Sequence, residues 1–120
     1  MINFFMSIAS FFGFFTVIIG AFGAHGFKNI LESNQTVEIY NKAVLYQMFH
    51  TIVILAIALI QSEHKLLTIA VLSFSIGILI FSGSLYILSL TNVKWLGAIT
   101  PIGGLMFLFG WISLFSYSVK

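Results

Sequence analysis

Residues 66–93 read LLTIAVLSFSIGILIFSGSLYILSLTNV, with Lys65 before them, Lys94 after them and no charged side chain between. An α-helix rises 1.5 Å per residue, so about 20 apolar residues cross a hydrocarbon core about 30 Å thick. This stretch exceeds that length and is read as a membrane span. Working outward, residues 1–27, 43–62 and 95–119 are also uncharged. All five lysines (Lys28, Lys42, Lys65, Lys94, Lys120) and all three glutamates (Glu32, Glu38, Glu63) fall between or beyond these four runs. A charge at the bilayer centre costs roughly 2.5–3.5 kcal/mol on insertion scales, so segregation of this kind is what lipid imposes.

Composition agrees. The chain has 120 residues, 60% hydrophobic and 7% charged, against about 25% charged residues in a soluble domain. The expected fold class is therefore all-α, an integral membrane four-helix bundle forming one transmembrane domain over residues 1–120. Its helices are expected near 3–24, 37–61, 66–90 and 96–118. The first run lacks a preceding basic residue and is longer than a signal-peptide core of about 7–15 residues, so it is expected to be a retained span. Thr36 is expected to cap the second helix, with Glu38 in its first turn. Phe27, Ile30 and Leu31 have the spacing of one amphipathic turn on the interface. Residues 61–65 and 91–94 are expected turns.

Some chemistry is excluded. With no cysteine there is no disulfide framework, thiolate metal site or cysteine nucleophile. The net charge of +2 comes from dispersed lysines, and no basic cluster suggests nucleic acid. Lys65 and Lys120 on one side of the membrane against Lys28, Lys42 and Lys94 on the other leave orientation open.

Counting crossings locates the polar residues. If the N-terminus lies on side one, the first and third helices end on side two, where the second and fourth begin. The unusual clusters all fall there: Gly20 to Gly26 with His25, Tyr46-Gln47 with His50, Ser82-Gly83-Ser84 with Tyr86, and Thr100-Pro101 with Gly103-Gly104. Gly13, Thr16, Gly20 and Gly23 recur along one helix face, and Gly103, Gly104 and Gly110 do so on the fourth helix. Small residues let helices approach closely in lipid, within one chain or between copies in a homo-oligomer. Pro101 suits a first helical turn. Trp95, Trp111 and Tyr117 are read as interfacial anchors.

His50 lies two turns inside Lys42 and shares roughly one face with Tyr46 and Gln47. Polar groups in lipid seek partners in the bundle, so Ser82, Ser84 and Tyr86 are its expected neighbours. The candidate ligand-binding set is His25, Tyr46, Gln47, His50, Ser82, Ser84, Tyr86 and Thr100. Gly20, Gly23, Gly103 and Gly104 are assigned to helix packing. No catalytic residue or metal ligand is assigned: a serine nucleophile would lack an acidic residue to orient its base, and two histidines fall short of the three or four ligands zinc takes. No cofactor is expected.

The same motifs resemble a known family. Gly20-Ala21-Phe22-Gly23-Ala24-His25-Gly26, Tyr46-Gln47 with His50, Phe81-Ser82-Gly83-Ser84-Leu85-Tyr86, Ile99-Thr100-Pro101-Ile102-Gly103-Gly104 and Gly110-Trp111 are similar to the small membrane proteins grouped as domain of unknown function 423. That group is also called YgdD-like and has a eukaryotic relative, transmembrane protein 256. The resemblance spans essentially the whole chain and implies a multi-pass protein of the bacterial inner membrane, without implying an activity. Three functional readings stay open. The first is a non-enzymatic bundle binding membrane lipids or a membrane-protein partner. The second is a small transporter or proton-linked channel using His50. The third is a membrane-embedded enzyme using His25 and His50.

Overall fold

The structure, a computed structural model, describes residues 2–120, with side chains from residue 4 onward. Helix α1 (Ile2–Ala24) ends in the turn at residues 25–27, where Phe27 N–H bonds the Phe22 carbonyl at 2.8 Å. A two-turn helix, α2 (Lys28–Asn34), follows. It stops at Gln35, whose left-handed φ of 57° turns the chain into α3 (Val37–Ala58). The expected amphipathic turn is thus a helix, with Leu31 buried and Ile30 exposed. Thr36 does precede α3, but its side chain makes no cap bond to that helix.

The third span is not one regular helix. It comprises α4 (Lys65–Gly77), a π-helical turn (Ile78–Ser82) and α5 (Gly83–Thr91). In that turn Gly83 N–H reaches back five residues to the Ile78 carbonyl. His64 caps α4, its Nδ1 accepting the Leu66 N–H at 3.1 Å. Asn92, left-handed at φ 60°, closes α5. A 3₁₀ turn (Lys94–Ala98) then leads into α6 (Thr100–Val119), with Pro101 in its first turn, where no N–H partner is lost.

Each span packs on its neighbour in sequence: α1 on α3, α3 on the third span, and α4 with the π turn on α6. The two inner spans are 39% and 44% buried and the outer two 22%, which sets the order across the molecule. Among the described residues four helices are long and apolar enough to cross a membrane, and the exposed faces of α1 and α6 carry Phe11, Phe14, Val17, Leu108, Phe109 and Phe115 toward lipid.

The two membrane halves are built differently. Near side one, Phe5, Ala9 and Phe12 of α1 meet Ile54, Ile57 and Ala58 of α3 and Leu67, Ala70, Val71 and Phe74 of α4 in a hydrophobic cluster. Glycines set the close approach of α4 and α6: a Cβ on Gly110 would stand 2.5 Å from the Phe74 ring, and one on Gly77 would stand 2.5 Å from Phe107. Toward side two the packing is polar. Tyr40 Oη donates to the Ile19 carbonyl, and Gln47 joins α1 to α5 by donating to the Phe12 carbonyl at 3.1 Å and accepting from Tyr86 Oη at 2.6 Å. Ser82 Oγ donates to the Ala43 carbonyl at 2.7 Å. The α2–α3 connection covers the end of α5, where Asn34 Nδ2 and Thr36 Oγ1 both donate to the Ser89 carbonyl, at 3.0 and 2.8 Å. Among the described residues every buried side-chain nitrogen and oxygen has a partner.

Candidate functional site

His50 lies on the face of α3 turned toward α6. Its Nδ1 is 2.9 Å from the Tyr46 carbonyl, and its Nε2 is 3.2 Å from Trp111 Nε1. A carbonyl only accepts and an indole N–H only donates. The two partners therefore select neutral imidazole with its proton on Nδ1, and both ring nitrogens are occupied. The ring also lies flat on Phe107, with centroids 3.8 Å apart and planes 5° from parallel. Tyr46 stacks on Phe81 at 4.6 Å.

These aromatics form the floor and walls of a groove of about 750 Å³ between α3 and α6. It has that size because the backbones of α3 and α6 are held apart by the third span, which both contact. Leu45, Tyr46, Phe49 and His50 line one wall, and Pro101, Gly104, Leu105, Leu108 and Trp111 line the other, over Phe81 and Phe107. Gly104 deepens the α6 wall: a Cβ there would meet nothing within 4 Å. Gly103, one residue earlier, faces the π turn, where a Cβ would strike the Phe81 backbone. The volume falls within the roughly 300–1,000 Å³ typical of ligand sites.

The structure divides the sequence-derived candidates among five places. Tyr46 and His50 line the groove. Gln47 and Tyr86 point the other way and tie α3 and α5 to α1; adjacent helical positions are 100° apart, which separates Gln47 from Tyr46. Ser84 and Thr100 share a 2.7 Å hydrogen bond where α5 meets the start of α6, and Ser82 is spent on the Ala43 carbonyl. His25 is exposed in the α1–α2 turn. Of the packing glycines, Gly23 lies under the Tyr40 ring and Gly103 against Phe81, Gly20 is in ordinary contact with Val44, and Gly104 opens the groove. No group of three or more potential metal ligands occurs among the described residues.

Trp111 lines this candidate site, whereas sequence reading places it elsewhere. It is half-buried on His50 and Phe74, well inside α6, rather than at an interface. The available signal is its spacing: Pro101, Gly104, Leu108 and Trp111 follow one another at intervals of three or four residues, one face of a helix.

Comparison with known proteins agrees with this architecture. A family model described as a protein of unknown function (DUF423) matches residues 19–104. The chain belongs to that family. A UPF0382 membrane protein of Haemophilus influenzae is 45% identical across 100% of this chain and 97% of its own length. The UPF0382 membrane protein SSP2132 of Staphylococcus saprophyticus is 46% identical over 79% of each chain. YwdK of Bacillus subtilis, also a UPF0382 membrane protein, is 38% identical over 85% of each. No solved structure matches the chain. The DUF423 match takes in the α3 wall of the groove, the π turn and the α6 wall as far as Gly104.

Proposed function

We propose that this DUF423 protein is a lipid-binding bundle of the cell membrane, whose groove between α3 and α6 holds an acyl chain. The observation that carries this reading is the match between the groove and one leaflet. Pro101 and Trp111 mark its two ends on α6, and ten residues at 1.5 Å each span about 15 Å, half of a hydrocarbon core about 30 Å thick. The groove opens sideways past Leu45, Phe49, Leu105 and Leu108, all largely exposed, so a chain enters from the bilayer without crossing water.

Its chemistry suits a hydrocarbon. The polar atoms nearest its floor, on His50 and Trp111, are bonded to each other and to the Tyr46 carbonyl, so a chain laid over them strands none of them. The same bonding disfavours proton relay by His50, which would first have to release Trp111. It also disfavours an acid–base pair with His25, which sits in the exposed turn beyond α1. Lipids are thus the proposed partners. Self-association through the exposed faces is a proposal of lower rank, since the glycines Gly23, Gly77, Gly103 and Gly110 are already used inside the chain.

Native mass spectrometry of the protein extracted gently from its membrane tests this reading. The wild type is expected to retain one tightly held lipid. Gly104→Leu, which fills the groove where nothing opposes a side chain, is expected to lose it while remaining folded by circular dichroism. Equal lipid retention by wild type and variant would refute the assignment.

A further inference from the structure

The α3 wall orders its chemistry along the membrane normal. Lys42, Tyr46 and Phe49 follow at four and three residues, so they share one face of α3. Tyr46 and Phe49 line the groove, and Lys42, outside that lining, is exposed one helical turn further toward side two. A rise of 1.5 Å per residue puts the Lys42 and Tyr46 backbones about 6 Å apart in depth. Reading inward, the occupant meets a cation, then a phenol, then aromatic hydrocarbon.

The phenol is the unusual member. His50 and Trp111 consume each other's polar atoms, whereas no hydrogen bond involves Tyr46 Oη among the described residues. Its ring is fixed between Phe81 and the His50–Phe107 stack, so its position is set by packing and its O–H remains to be satisfied. Tyr46 is exposed along the groove, so its O–H is open to an acceptor that the occupant itself carries. The one acidic side chain near Lys42 on this face is Glu38, a further turn out, and no ion pair joins the two among the described residues.

We infer that the groove ligand is an ester-linked glycerophospholipid, with its phosphate at Lys42, an ester carbonyl accepting from Tyr46 Oη and an acyl chain over Phe49 toward Trp111. This rests on the acyl-chain reading above. A phospholipid carries anion, ester and chain in that order, over a matching distance. A free fatty acid puts its carboxylate where the ester should be, and a diacylglycerol lacks the anion.

The test is competition for the delipidated full-length protein in detergent, read by native mass spectrometry. The probes are phosphatidylglycerol, its diether analogue without ester carbonyls, and diacylglycerol. The wild type is expected to prefer phosphatidylglycerol at least tenfold over diacylglycerol and several-fold over the diether. Lys42→Gln should erase the first preference and keep the second. Tyr46→Phe should erase the second and keep the first, and a Phe ring retains the stack, so the fold is preserved. Preferences unchanged in both variants would overturn the phospholipid assignment while leaving the acyl-chain site standing. Loss of all binding differences between wild type and Gly104→Leu would remove the site itself.

Discussion

At the residue scale the His50–Trp111 bond and the Gly103–Gly104 pair make the sharpest statements. Removing one partner of a buried hydrogen bond leaves the other unsatisfied, at about 1–3 kcal/mol, whereas replacing both can be nearly neutral. His50→Phe and Trp111→Phe should therefore each destabilise the bundle, and the double substitution should cost less than their sum. Couplings of this kind in membrane proteins average about 0.6 kcal/mol and reach about 1.7. Reversible unfolding in mixed micelles measures the cycle, and strict additivity would show that the bond contributes nothing. The glycines give an opposite-sign pair. Gly103→Ala drives a methyl into the Phe81 backbone and should cost about 1–3 kcal/mol, as overpacking does. Gly104→Ala meets open space and gains helix propensity, so the same assay should find it neutral or stabilised by up to about 1 kcal/mol. The sequence shows that His50 is polar in lipid and must find a partner. It does not show which partner, because the choice of Trp111 over Ser82 depends on how α3 and α6 rotate about their axes on the third span. For the same reason adjacent Gly103 and Gly104 look alike in sequence and act differently in the fold.

At the scale of elements, the spans are legible because charge is excluded from lipid over whole stretches, and the turns at Gln61 and Asn92 lie where polar residues gather. The π turn is not legible. Residues 78–82, ILIFS, carry no signal that distinguishes them from regular helix. The turn forms where Gly77 and Gly83 flank a segment that must give Ser82 to Ala43 and present the Phe81 backbone to Gly103. A π turn holds one residue more than the α-turn it replaces, so removing one residue there keeps the register of the flanks. Deleting Leu79, which faces lipid, should leave a folded protein. Deleting Ile87, also exposed but in regular α5, should rotate the end of α5 by about 100° and unfold it. Expression and circular dichroism compare the two, and equal tolerance would contradict the π assignment. The α2–α3 connection is a second element the sequence only hints at. It shows a capping threonine, but the fold spends Thr36 on the end of α5. Thr36→Ala should accordingly speed hydrogen exchange around residues 88–93 more than in the first turn of α3.

At the scale of the molecule, four crossings put residues 59–64 on one side of the membrane with the end of α6, and residues 25–36 and 92–98 on the other. The chain has no cysteine, so single cysteines at Ser62, Ser118, Asn29 and Thr91 can be labelled with a membrane-impermeant reagent in sealed vesicles. The pairs Ser62 with Ser118 and Asn29 with Thr91 should label from opposite sides. The Cα trace extends 49 × 26 × 16 Å, long enough to cross a bilayer of about 40–45 Å with its headgroups. That the side-two half is polar could be read by counting crossings. That the candidate site is an aromatic groove depends on the helix rotations, which exchange Gln47 for Trp111 among its lining residues. The central claim is that this groove keeps an acyl chain, and Trp111 in its wall can report on it directly. Trp95→Phe protein, in which Trp111 is the remaining tryptophan, would be equilibrated with phospholipid brominated along the acyl chain, then diluted into unbrominated vesicles. Quenching of Trp111 that outlasts the exchange of bulk lipid, and that disappears in Gly104→Leu, is the predicted result; quenching that decays with bulk lipid in both proteins would contradict it.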